Sequence, residues 1–173
     1  MLFIELFFQG IVQGSIYALI ALGLTLVYGL LRILHVAHAA LFTLGGYLGV
    51  IVTNATGSFA LATAVAMIVV GFVGIAVYKL AYEPLLSRQP FIALFASIGM
   101  FIASEEIFRI IFGPYGLSYT NPPMQGYFEL SGGFFLKYGE ALVIALSVVM
   151  LVVLGWFSAN TRLGVSWRAT VTD

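Results

Sequence analysis

Apolar residues in this chain gather in five unbroken blocks: Phe7–Leu31, Ile33–Thr53, Phe59–Tyr78, Phe91–Phe112 and Tyr138–Phe157. A helix crosses the hydrocarbon of a bilayer with about 20 apolar residues, and each block meets that length. The first three carry no charge apart from any protonated histidine. The fourth holds Glu105, Glu106 and Arg109 in its last third, and the fifth holds Glu140 near its start. Membrane-barrel strands would alternate in polarity over about ten residues, whereas these blocks are continuous and roughly twice as long. Pro84, Pro90, Pro114, Pro122 and Pro123 all lie between blocks, where a missing backbone donor costs little. The pattern predicts an all-α fold, a polytopic transmembrane helix bundle of about five spans, forming one membrane domain over residues 1–173.

Composition agrees. Of 173 residues, 62% are hydrophobic and 8% charged, with a mean hydropathy of +1.10. Too few charges are present to cover a water-facing surface, since a soluble domain is about a quarter charged. The formal net charge of zero gives no support for nucleic-acid binding. With no cysteine, disulfides and thiolate metal sites are excluded. The N-terminal "MLFIELFFQG" has Glu5 and no basic residue. It therefore lacks the positive start of a secretory signal, and the first block is expected to persist as a span. Basic residues of short loops mark the cytoplasmic side. Lys79 and Arg88, and Arg162 and Arg168, place the segments after the third and fifth blocks inside. The Gly113–Phe134 loop then lies outside, Arg32 inside and the N-terminus outside.

Helix association in lipid depends on close backbone approach. Gly10, Gly14, Ala18, Ala21 and Thr25 form a small-residue stripe on the first span. Gly45 with Gly49, and Gly71 with Gly74, give shorter versions on the second and third. Such stripes serve helix packing, or a groove that admits a solute.

Both histidines lie in "RILHVAHAALFTLGGY". On a continuous helix, Arg32, His35, His38, Phe42, Gly45 and Gly49 share one side, which should face protein or a wet cavity. His35, one turn from Arg32, is expected at the interface, and His38 is expected to be the more buried. Three roles fit the pair: hydrogen bonds between helices, the lining of a polar-solute path, or a metal or haem site. The last is the weakest, because catalytic zinc normally has three protein ligands. In "EEIFR", Glu105 stands at i, i+4 and Glu106 at i, i+3 to Arg109. The cluster is either a paired group where the helix surfaces or an acidic lining suited to an ammonium group or an amide dipole. By the topology above, these carboxylates lie toward the outside and the histidines toward the inside. The chain contains no P-loop, nucleophile elbow or His-Glu-x-x-His, so ATP binding and hydrolase chemistry gain no support.

Gly14–Gly49 resembles the N-terminal spans of the permease subunits of bacterial branched-chain amino acid ABC importers. That family commonly reads Gly-Ser-Ile-Tyr-Ala-Leu, then Tyr-Gly, then Asn-Phe-Ala-His-Gly. This chain has Gly14-Ser15-Ile16-Tyr17-Ala18-Leu19 and Tyr28-Gly29, followed by His35-Val36-Ala37-His38-Ala39, so that His38 matches the histidine and His35 replaces the asparagine. "YEPLLSRQPFIALFASIGMFI" is similar to the family's inner loop and fourth span, with Glu105 and Glu106 in place of neutral amides. Asn160–Asp173 is similar to the start of the loop that docks on the ATPase; Gly164, Arg168, Ala169 and Asp173 match it, and Val165-Ser166 depart from it.

The resemblance implies a permease subunit in the bacterial inner membrane that supplies half of a solute path and needs no cofactor of its own. Its implied partners are a second related permease, two cytoplasmic ATP-binding subunits, a periplasmic solute-binding protein and membrane lipid. Gly14, Ser15, Tyr17, His38, Thr43, Gly45 and Gly46 are expected near the path. Arg162, Gly164, Arg168 and Asp173 are expected to contact the ATPase. Family chains continue for about three further spans, so the sequence is expected to be the N-terminal part of a longer chain. Urea or short amides as the solute, and a passive small-solute channel, are the alternatives; an intramembrane enzyme is more remote.

Overall fold

The computed structural model describes residues 2–31, 33–86, 88–130 and 134–160. Arg32 and the proposed docking residues Arg162, Gly164, Arg168 and Asp173 lie outside these. Five helices follow one another: α1 (Leu2–Leu31), α2 (His38–Thr56), α3 (Phe59–Val77), α4 (Pro90–Phe112) and α5 (Tyr138–Asn160). All five contain stretches long and apolar enough to cross a membrane. They divide between two compact units, one within residues 1–31 and 124–173 and the other within 32–123.

In the first unit, α1 packs along α5, whose Ser147 is buried. The two glycines of the α1 stripe meet no close neighbour: no heavy atom lies within 4 Å of a Cβ built on Gly10 or Gly14. Ser15 and Thr25 instead donate to the carbonyls one turn back, Ile11 (2.8 Å) and Ala21 (2.7 Å), which satisfies both hydroxyls inside their own helix. The segment expected as a plain loop holds an antiparallel hairpin, β1 (Tyr127–Leu130) and β2 (Phe134–Lys137), with Tyr127 opposite Lys137. It runs directly into α5, and the Tyr138 N–H donates to the Gly126 carbonyl. Gly126 has φ +138°, and a Cβ there would sit 2.5 Å from Tyr138 Cε2. Only glycine allows the aromatic ring to close over this junction.

In the second unit the core is small. Ala37, Ala40, Ala62, Ala93 and Ser97 are buried, while Met67, Phe72 and Phe95 point outward. This inverts the order of a water-soluble core and suits a helix pair in lipid, where small residues let backbones approach. On α2, a Gly45 Cβ would meet Val70 of α3 at 3.7 Å; a Gly74 Cβ on α3 would meet Leu41 at 3.9 Å. The α2–α3 turn is closed at both ends. Gly57, at φ +70°, returns its N–H to the Thr53 carbonyl, and the Ser58 hydroxyl caps α3 by accepting from the Leu61 N–H.

Several boundaries differ from the sequence expectation: α1 begins at Leu2, α2 ends at Thr56 and α5 ends at Asn160. The third helical run does not stop at Tyr78: it widens through a π-helical turn (Tyr78–Tyr82) and then tightens through a 3-10 turn (Glu83–Leu85) that contains Pro84. The second span does not begin at Ile33. Residues 33–37 are irregular, and α2 starts at His38.

Candidate functional site

The late start of α2 overturns the expected histidine face. His35 is not on the helix, so Arg32, His35 and His38 do not line one side of it. The burial order is reversed as well, with His35 buried and His38 only half-buried. The cause is a polar node that draws residues 33–37 into the second unit. Tyr82, brought inward by the π turn, hydrogen-bonds His35 Nδ1 through its hydroxyl, and the two rings meet edge-on with centroids 5.1 Å apart. Ser97 of α4 accepts from the Ala37 N–H at 3.0 Å and also hydrogen-bonds Tyr82. Burial, and behind it the nearby His38 imidazole, lower His35 from 6.5 to about 4, so the ring is neutral at physiological pH. His35 thus makes a hydrogen bond to Tyr82 from the irregular segment before α2.

A second feature lies one level along α4. Ala40, Thr43 and Tyr47, spaced on one face of α2, oppose Phe101, Glu105, Phe108 and Arg109 on one face of α4. The Gly113–Pro114 turn closes one end of the resulting cleft of about 300 Å³. Tyr47 stacks on Phe112 (centroids 4.1 Å, planes 21° apart) and leans on Phe108 (5.4 Å). Beyond the turn, the loop is tied to the end of α2 by Asn54, which donates to the Ser118 carbonyl (3.0 Å) and accepts from the Thr120 N–H (2.9 Å). Glu106, not Glu105, pairs with Arg109, at 3.4 Å. Glu105 is left facing the cleft beside the guanidinium.

The expected path residues are thus distributed. Gly14, Ser15 and Tyr17 belong to α1 in the first unit. On α2, Thr43 lines the cleft, Gly45 admits α3, Gly46 has no close neighbour and His38 opens the helix beside His35, ring centroids 6.2 Å apart. Ser97 and Glu105 are eight residues apart, about 12 Å along a helix, so the histidine level and the carboxylate level stay separate. Among the described residues no three His, Cys, Asp or Glu side chains converge to hold a metal. Tyr82, Ser97, Tyr47 and Asn54 were not picked out from the sequence. Ser97, a hydroxyl in the apolar first half of its span, carried the clearest signal, because polar side chains there bond across helices.

Comparison with known proteins follows the same direction. The family described as "Branched-chain amino acid transport system / permease component" matches residues 6–173. The high-affinity branched-chain amino acid transport system permease protein LivH of Escherichia coli (strain K12) is 33% identical over 109 residues, which cover 58% of this chain and 35% of that protein. LivH of Salmonella typhimurium is 31% identical over the same coverage. The corresponding permease protein BraD of Pseudomonas aeruginosa is 27% identical over 179 residues, covering 95% of this chain and 58% of BraD. The chain therefore spans only part of the length of the curated relatives it matches. No solved structure matches it.

Proposed function

We infer the function from one premise: the chain belongs to the family of permease components of branched-chain amino acid transport systems. It is a multi-pass membrane protein with five apolar helices of spanning length. We read it as a subunit of an ATP-driven importer in the bacterial inner membrane, contributing half of the path for branched-chain amino acids. The observation that carries this reading is the family match over residues 6–173. The α2–α4 cleft supports it, because it joins charged groups to an aromatic wall.

In this reading a second related permease completes the path, two cytoplasmic ATP-binding subunits drive it, and a periplasmic binding protein delivers the solute. Alternating access proceeds by rocking of packed helices. Gly14, Ser15 and Tyr17 on α1 and His38, Thr43 and Gly46 on α2 lie near the path, and Gly45 lets α3 approach. Arg162, Gly164, Arg168 and Asp173 meet an ATPase.

The test is reconstitution of the protein with a second related permease, two ATP-binding subunits and a periplasmic solute-binding protein. Leucine, isoleucine and valine should accumulate in proteoliposomes only with ATP. Accumulation of urea or acetamide in their place would reassign the solute. Equilibration without ATP or the binding protein would make the protein a passive channel and overturn the importer reading.

A further inference from the structure

We infer that the α2–α4 cleft is a binding site for the zwitterionic head and apolar side chain of a single α-amino acid, with Glu105 taking the ammonium and Arg109 the carboxylate. This deepens the reading of the chain as an amino acid permease and rests on it.

Three observations converge. The first is the pairing of charges on one wall. Glu105 and Arg109 stand one helical turn apart on α4, and both line the cleft. Ionisable groups within a membrane helix are expensive and mark functional surfaces. Glu105 is not the partner of Arg109; Glu106 is, through a single guanidinium nitrogen. A guanidinium carries five N–H donors in a planar fork suited to a carboxylate, so the pair with Glu106 leaves donors for a second one. Opposite formal charges one turn apart match both ends of a zwitterion, whereas a neutral urea or amide would gain only hydrogen bonds from them.

The second is the opposing wall. The Thr43 hydroxyl gives its proton to the Ala39 carbonyl at 3.0 Å. Its oxygen therefore presents lone pairs alone to the cleft, which suits an ammonium and repels a carboxylate. Thr43 and Glu105 thus form the cationic-head side of the site.

The third is size and apolar lining. About 300 Å³ is the lower end of ligand sites, which run to about 1,000 Å³, and gives room for one amino acid. Phe101, Phe108 and Tyr47 give the aliphatic chain an aromatic wall. The stack of Tyr47 on Phe112, backed by Gly116 (whose Cβ position lies 3.6 Å from the Tyr47 hydroxyl), keeps that wall rigid.

The experiment is saturation-transfer NMR on the full encoded chain with its partner permease in nanodiscs, without the binding protein. The probes are L-leucine, 4-methylpentanoate (no ammonium) and isoamylamine (no carboxylate). Leucine should bind at least tenfold more tightly than either half-molecule. Glu105→Gln should abolish the preference over 4-methylpentanoate, and Arg109→Met the preference over isoamylamine. Ile110→Ala, on the outward side of α4, should preserve both, and Glu105→Asp should restore part of what Glu105→Gln loses, showing that charge and not folding is read. Equal binding of all three probes by the unaltered protein, or unchanged preferences in Glu105→Gln, would overturn the site. ATP-driven leucine uptake is measured on the same assembly. Uptake without probe discrimination removes only the cleft assignment, and discrimination without uptake removes the importer reading while the site stands.

Discussion

Tyr82→Phe isolates the polar node. The change keeps the ring that meets His35 edge-on at 5.1 Å and deletes the hydroxyl that serves both Ser97 and His35. His35 and Tyr82 are 6% and 3% exposed, so water cannot replace the lost partner. An orphaned buried polar group costs about 1–3 kcal/mol, or a fall in melting temperature of about 2–4 °C per kcal/mol for a chain of this size. A pH effect accompanies it. With His35 lowered from 6.5 to about 4, the folded state binds fewer protons than the unfolded state between those values. Its contribution is complete above pH 6.5 and declines as pH falls toward 4, by about 3 kcal/mol in full. Melting in nanodiscs at pH 7.5 and 5, for the unaltered protein and for His35→Gln, separates this from other groups. The unaltered protein should lose more stability on acidification than His35→Gln does. Identical pH responses of the two, or a Tyr82→Phe variant as stable as its parent at pH 7.5, would refute the hydrogen-bonded neutral histidine.

Gly126→Ala combines a positive φ with a 2.5 Å approach to Tyr138 and should destabilise the hairpin–α5 junction by about 1–3 kcal/mol; limited proteolysis between residues 124 and 138 would report it. Asn54→Ala removes both ties to the 118–120 loop at about 0.5–1.5 kcal/mol each, which faster hydrogen exchange at the Thr120 amide should reveal. Gly45→Leu should overpack α2 against Val70 and cost about 1–3 kcal/mol, seen as a lower melting temperature at unchanged helix content.

The five spans were legible because their lengths and apolar content are set by the bilayer. Gly57 and Ser58 mark the turn between α2 and α3 by the ordinary chemistry of helix ends. The break before His38 was not legible. Nothing between Leu31 and His38 is a proline or glycine, and local propensity favours one continuous helix. What interrupts it is distant in sequence: Ser97 holding the Ala37 amide and Tyr82 holding His35. The helical-face argument for the histidines failed for that reason, and so did the expected order of their burial. The π turn at Tyr78–Tyr82 likewise has no local signature beyond Pro84 ahead of it. The hairpin did have one, since two short apolar runs flank Ser131-Gly132-Gly133, but four-residue strands are easily taken for loop. For the cleft, the helical spacing of Glu105 and Arg109 was legible, yet the choice of Glu106 as the ion-pair partner was settled by side-chain geometry.

The irregular stretch at 33–37 also restricts what surrounds the protein. Its Ala37 meets α4 at Ser97, seven residues past Pro90 and about 10 Å along the axis, so this non-helical backbone sits well below the start of its neighbour. Acyl chains offer nothing to a peptide group outside a helix. The flank bearing Leu34 and Val36, both open in the isolated chain, must therefore be sheltered by other polypeptide or by water instead of lipid.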